Sequence, residues 1–140
     1  MIKQLSVGTI ITDNKNILLG HTTWGQKYDL PKGRHEKGET YLQTTQREMK
    51  EEFGLYEAKH RFEILGFFEY LRDKDLYLFK LEFGNLYKDI NLSMLKCNSF
   101  FEKNGEQIPE MDGYKIVSLN EIDKYCYKSM VKVLNKIFNL

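Results

Sequence analysis

The chain switches twice between strand-like and helix-like hydrophobic spacing. From Gln4 to Thr12 it is rich in β-branched residues (Val7, Thr9, Ile10, Ile11, Thr12), which predicts a strand. Asp13-Asn14-Lys15-Asn16 is turn chemistry, and Ile17 to Thr22 is the expected hairpin partner. The span from Trp24 to Leu30 predicts a short third strand before Pro31. Residues 32–39 carry two glycines and alternating charge, and predict a loop. At Thr40 the period becomes helical. Thr40 and Gln43 form a capping box, in which each side chain satisfies the other's free backbone N–H. Leu42, Thr45, Met49 and Phe53 recur at spacings of three and four, a narrow inward stripe, and Gly54 is the expected C-terminal stop.

Strand spacing then returns in Phe62 to Leu71 and Asp75 to Phe83, joined by Arg72-Asp73-Lys74. Residues 86–111 form a long polar stretch, expected to be partly a lobe over the sheet. Tyr114 to Leu119 predicts a strand. Ser118-Leu119-Asn120-Glu121 predicts a second capping box, opening a last helix with Ile122, Cys126, Met130, Val133 and Ile137 on one face. The order strands, helix, strands, helix gives a mixed α/β (α+β) layout, with two helices covering the two faces of a central sheet. No repeat, low-complexity tract or linker interrupts the 140 residues, so residues 1–140 are expected to form a single domain.

Composition narrows the class. At 41% hydrophobic and 14% aromatic content the chain builds a core without a disulfide or metal, and disorder is not expected. Cys97 and Cys126 stand outside any Cys-x-x-Cys pair or zinc spacing, and are expected to be reduced, partly buried thiols. The N-terminus has no secretory h-region, and no run approaches the ~20 apolar residues of a membrane span. A cytoplasmic location with no membrane partner is the expectation. The 21 basic and 20 acidic residues leave a net charge of +1, which excludes bulk electrostatic binding of DNA.

That balance conceals a local arrangement. Glu48, Glu51 and Glu52 lie at i, i+3 and i+4 of the first helix, so they share one face. A solvated acidic face is the plain alternative. Three additions weigh against it: the adjacent Arg47 can brace one carboxylate, Glu36 and Glu39 lie in the preceding loop, and Gly33 and Gly38 let that loop fold over the same face. Five carboxylates converging on one patch suit a hard divalent cation, Mg²⁺ or Mn²⁺, which takes oxygen ligands shared with phosphates and water. Lys32 and Arg34 flank Gly33 as candidate phosphate-binding cations, whereas Lys37 is expected to be solvated.

At this point the residues resemble the Nudix hydrolase family. Gly33-x5-Glu39-x7-Arg47-Glu48-Met49-x-Glu51-Glu52-x-Gly54-Leu55 fits the Nudix box at nine fixed positions within 23 residues. Trp24 and the run Leu30-Pro31-Lys32-Gly33 resemble the family's lead into the box. Residues 108–121 resemble its final strand and helix. Thr44 and Thr45 stand where many members have alanines, and a packing adjustment alone is expected there. The resemblance implies a Nudix fold, a mixed sheet sandwiched between helices. It implies hydrolysis of a nucleoside diphosphate linked to another group, with Mg²⁺ or Mn²⁺ as cofactor. Glu48, Glu51 and Glu52 are the implied metal ligands, one of them a possible proton acceptor, and Gly33 lends a backbone carbonyl. Arg47 is implied to orient its neighbouring glutamate and Glu39 to support the site. An acid from outside the box often joins, and Glu110 ranks ahead of Glu106 and Glu102 because it precedes the final strand.

The resemblance implies that substrate choice lies outside the box. Trp24, Tyr28, Phe68 and Tyr70 are candidates to stack on a base, with core packing the alternative, favoured for Phe68. Trp24 is the best exposed candidate. The expected partner is a nucleoside or dinucleoside polyphosphate or an RNA 5′ end, with monomer and homodimer both open. A non-catalytic nucleotide or ADP-ribose sensor is the alternative, which an intact box disfavours. An isomerase of isopentenyl diphosphate would need a catalytic cysteine, for which Cys97 and Cys126 lack an evident partner. His21, His35 and His60 are isolated.

Overall fold

The computed structural model describes residues 2–140. Strand β1 (Gln4–Thr12) is central because both of its faces are apolar, Ile10 pointing into one core cluster and Ile11 into the other. It runs parallel to β6 (Lys74–Glu82) along its whole length, Gln4 opposite Lys74 and Thr12 opposite Glu82. β5 (Phe62–Leu71) lies antiparallel on the far side of β6. The expected hairpin from β1 into β2 (Asn16–Thr22) forms, but the two strands pair only at Thr12 and Ile17. β2 spends its length on β9 (Met111–Ser118), and its end also pairs with β3 (Tyr28–Asp29).

The vacated edge of β1 needs partners for its backbone groups. It finds them in Lys32–Arg34, where a loop is expected from the sequence. These residues form β4, antiparallel to Ser6–Gly8. The strands approach so closely that a Cβ on Gly8 would strike the Lys32 side chain and the Pro31 carbonyl. This pairing carries the start of the box onto the central strand.

Helices cover both faces of the sheet. α1 (Tyr41–Phe53) buries Met49 and Phe53 against Ile11, Leu18, Leu81 and Ile116. Thr40 closes the expected capping box with Gln43, and Gly54 ends the helix at φ 69°, a left-handed conformation that favours glycine. On the other face, α4 (Lys128–Phe138) buries Met130, Val133 and Leu134 against Ile10, Leu19, Leu76 and Leu78. Each such aliphatic side chain contributes about 1.5–3 kcal/mol through burial.

The last helix is not continuous. A 3₁₀ turn at Leu119–Glu121 leads into α3 (Ile122–Tyr125), an extended step follows at Cys126 and Tyr127, and α4 begins afterwards. Ser118 caps the turn by accepting the Asn120 N–H, while Glu121 turns to Lys124 instead of closing the box. Between β6 and β9 lie α2 (Leu86–Asp89), a 3₁₀ turn at Leu92–Met94, and a separate hairpin of β7 (Phe100–Lys103) and β8 (Glu106–Pro109). Cys97 and Cys126 are both buried and unpaired, in clusters on opposite faces of the sheet. Among the described residues, no helix is long and apolar enough to cross a membrane.

Candidate functional site

Helix α1 is seated on β1 and on the loop before it by hydroxyls as well as by apolar packing. Thr45 and Thr9, both fully buried, are hydrogen-bonded through their side chains. The Thr44 hydroxyl donates to Glu39 Oε1 at 2.9 Å and lies 2.8 Å from His35 Nδ1. The two threonines therefore bond, where packing alone is expected from the sequence.

This seating turns Glu48 and Glu52, one helical turn apart, inward. Their residues are only 8% and 6% exposed, while Glu51 stays half-buried. The backbone N–H of Lys32, on β4, donates to Glu52 Oε1 at 2.9 Å. Burial pushes the Glu52 carboxyl up to about 9, with the charges of Glu48 and Glu110 adding to the rise. Glu48 is also raised, first by burial and then by the charges of Glu51 and Glu110, against the opposing pull of Arg47. The field of Glu110 thus reaches both helix acids. Its backbone is fixed by two hydrogen bonds, from its own N–H to the Ser99 carbonyl at 2.9 Å and from the Thr23 N–H to its carbonyl at 3.1 Å. Glu102 and Glu106 sit exposed on the β7–β8 hairpin.

Arg47 ties the acids together. It binds Glu39 with two parallel bonds, Nε to Oε2 at 2.7 Å and Nη2 to Oε1 at 3.0 Å. Its Nη1 donates to Glu48 Oε1 at 2.8 Å and lies 3.4 Å from Glu51 Oε2, and Nη2 reaches the Arg34 carbonyl at 3.2 Å. These partners hold the guanidinium firmly charged. Arg47 in turn holds Glu39 down at about 2, its hydrogen bond being the largest cause, with the Thr44 hydroxyl adding to it. Gly33 completes the cradle, because a Cβ there would fall inside the Glu48 carboxylate.

These groups suit a hard divalent cation. The donors are all oxygen, two of them sit on buried carboxylates whose charge is unfavourable alone, and the glycine leaves backbone exposed beside them. Among the described residues the acids form no ready-made metal cage: Glu48 and Glu51 turn toward Arg47, and Glu52 toward the Lys32 N–H. The arrangement can hold a cation once these side chains turn, and can place it beside an anionic ligand.

The candidate substrate residues separate into two groups. The Lys32 ammonium is 3.1 Å from Asp29 Oδ2 and 5.7 Å from the centre of the Tyr70 ring, so Asp29 engages this cation. Arg34 is exposed. Tyr28 packs edge-on against His21 and Tyr125, and with Phe68 and Tyr70 borders the core beneath α4. Trp24, by contrast, is 61% exposed. Phe101 lies 6.0 Å from its ring centre and Lys103 Nζ 3.8 Å. Asp29, Thr44, Thr45, Phe101 and Lys103 are contacts that sequence reasoning missed. Asp29 had a signal, an opposite charge three residues before Lys32. So did the hairpin, whose Asn104-Gly105 turn is a strong two-residue hairpin pair, and both residues have positive φ.

The NUDIX domain model matches residues 2–136. An uncharacterised 17.7 kDa protein of the e–segB intergenic region of Enterobacteria phage T4 is 31% identical, with 98% of this chain and 97% of that protein covered. Among solved structures, an Ap4A hydrolase of C. elegans is 21% identical at a TM-score of 0.60, covering 96% of this chain and 94% of that one. A bifunctional NMN adenylyltransferase/ADP-ribose pyrophosphatase of Francisella tularensis, complexed with AMP and a manganese ion, is 16% identical at a TM-score of 0.66, covering 97% of this chain and 42% of that one.

Proposed function

The chain belongs to the NUDIX domain family, and we propose that it is a pyrophosphohydrolase, which hydrolyses the phosphoanhydride bond of a nucleoside diphosphate linked to another group, using a divalent cation. The observation that carries this reading is that Glu48 lies against Gly33 and Glu52 accepts the N–H of the neighbouring Lys32, while Arg47, braced by Glu39, reaches Glu48 and Glu51. Nucleoside polyphosphates, dinucleoside polyphosphates and RNA 5′ ends are the substrate classes this proposal covers.

Glu48, Glu51 and Glu52 would hold Mg²⁺ or Mn²⁺, with the Gly33 carbonyl and Glu110 completing the set. When bound, the cation neutralises phosphate charge and acidifies water. The chain's own residues do the rest. Arg47 fixes Glu48 through Nη1 while Glu39 fixes Arg47, so the helix acids keep their spacing. One of the three helix glutamates accepts the proton of the attacking water. Arg34, exposed at the end of β4, would meet substrate phosphate, and Lys32, held by Asp29, lies two residues before it on the same strand. Phosphoryl transfer asks chiefly for such positioning and charge compensation.

The test is a substrate panel with products identified by mass spectrometry: nucleoside triphosphates, including oxidised ones, dinucleoside polyphosphates, ADP-ribose, NADH and 5′-triphosphate RNA, each with Mg²⁺, Mn²⁺ or EDTA. Metal-dependent release of phosphate, pyrophosphate or a nucleoside monophosphate is expected from at least one. Tight nucleotide binding with no product after long incubation would replace the hydrolase by a binding module.

A further inference from the structure

The β7–β8 hairpin is the part of the molecule that the box does not explain. It forms its own two-stranded sheet, apart from the main one. Side chains two apart on a strand share a face, so Phe101 and Lys103 project together, and both reach Trp24. The ring they meet is large, planar and 61% exposed, and Phe100 beside them is 49% exposed. The loop that carries Trp24 is also fastened to the hairpin's base. The Thr23 hydroxyl donates to the Pro109 carbonyl, and the Thr23 N–H to that of Glu110. Glu110 is the residue whose charge reaches Glu48 and Glu52. A flat ligand on Trp24 is therefore held by a short, hydrogen-bonded segment next to the acidic patch.

We infer that the Trp24 loop and the β7–β8 hairpin form a nucleobase clamp, in which the base stacks on Trp24 and Lys103 leaves the ring to meet the ligand's phosphate. The energetics favour the exchange. An exposed cation–π contact is weaker than the stacking of one base on an aromatic ring. The released ammonium then gains an anionic partner instead of a π face. The clamp selects ligands that carry an aromatic base and disfavours diphosphates built on sugars, polyols or isoprenoids alone. It deepens the hydrolase reading and rests on it for the placement of the phosphates.

Trp24 is the only tryptophan in the chain, so its emission reports on the clamp directly. The experiment titrates the full chain in Mg²⁺ with AMP, which has no anhydride to cleave, and in parallel with inorganic pyrophosphate, which has no base. AMP is expected to quench and shift the emission, and pyrophosphate, which can draw Lys103 off the ring but cannot stack on it, to change it much less at equal concentration. Trp24→Ala should raise the AMP dissociation constant, followed by calorimetry, by about tenfold, with Trp24→Phe recovering most of the loss. Lys103→Met should weaken AMP binding but not that of adenosine. Emission unmoved by AMP, or moved equally by pyrophosphate, overturns the clamp. A chain that cleaves nucleotides while its emission stays flat loses the clamp and keeps the hydrolase. A chain that cleaves nothing but quenches with AMP keeps the clamp and loses the hydrolase.

Discussion

Two segments meet at Glu110 and are built on opposite plans. In the box helix and its loop, one guanidinium lies within 4 Å of four carboxylates, those of Glu36, Glu39, Glu48 and Glu51, and two further hydroxyls seat the helix. In the β7–β8 hairpin, two four-residue strands stand apart from the main sheet and carry aromatic rings half in solvent. The first segment fixes like charges against their own repulsion, which demands many mutual bonds. The second leaves apolar surface uncovered, which is less favourable in water than when another surface covers it. The difference teaches where each kind of change is expected to act: on the proposed reaction, a single atom in the box alters chemistry and one in the hairpin alters the choice of ligand.

The largest expected break is Glu52→Gln. The amide oxygen can still accept the Lys32 N–H, so the fold survives while the carboxyl that would ionise on a cation is gone. Turnover should fall by about three orders of magnitude or more, measured on the best substrate of the panel. If Glu51→Gln and Glu52→Gln both keep full activity, the acidic patch is not the site. The same variant carries a pH signature. In EDTA, native Glu52 holds its proton up to about 9, whereas in the unfolded chain it gives it up near 4.5. The unfolded state then binds fewer protons, so wild-type stability declines as pH rises through that window. The Tm of Glu52→Gln keeps only the decline that the raised Glu48 carboxyl contributes, so the gap between the two proteins should widen from pH 5 to pH 9.

The box side of this comparison was legible in the sequence because its chemistry is encoded by spacing within one helix. Glu48, Glu51 and Glu52 share a face for any α-helix, and the Thr40–Gln43 box and Gly54 mark its ends. Glu110 could only be ranked, since its nearness to Glu48 depends on β9 pairing with β2, a contact of about 90 residues' separation. The β4 strand was not legible either. Lys32–Arg34 has loop composition, and becomes a strand only because β2 leaves β1 after one residue pair and exposes its edge. The break at Cys126 was hidden for a related reason: Ile122, Cys126, Met130 and Val133 are all buried on one side, and the periodicity reports that shared face whether or not the helix is continuous. The Trp24–Lys103 contact joins residues 79 apart and left no local pattern.

A smaller break comes at Gly33. Its constraint is proximity, since a methyl group there would occupy the Glu48 carboxylate. Gly33→Ala must push Glu48 outward and loosen its bond to Arg47 Nη1. Misplacement of about 1 Å at such a site lowers turnover roughly 10²-fold, with about 1–3 kcal/mol of destabilisation from overpacking. Activity assays and thermal melts on the same preparation separate the two effects. Equal activity in Gly33→Ala and wild type would show that the box loop has room to give.

The finest distinction is at Thr45, where the box position often filled by alanine carries a buried hydroxyl bonded to Thr9. If the pair only fills space, Thr45→Val is nearly neutral. If the bond matters, the substitution leaves the Thr9 hydroxyl buried without a partner, at a cost of about 1–3 kcal/mol, while Thr9→Val combined with Thr45→Val removes both polar groups and returns close to wild type. The double-mutant cycle, read from denaturant midpoints, is expected to show this recovery. Turnover should change little in all three variants, because neither threonine touches the acids directly and Arg47 keeps its partners. Additive losses in the cycle would instead mean that each threonine acts by shape alone, and that polar bonding in the box segment is confined to the Arg47 network and to Thr44.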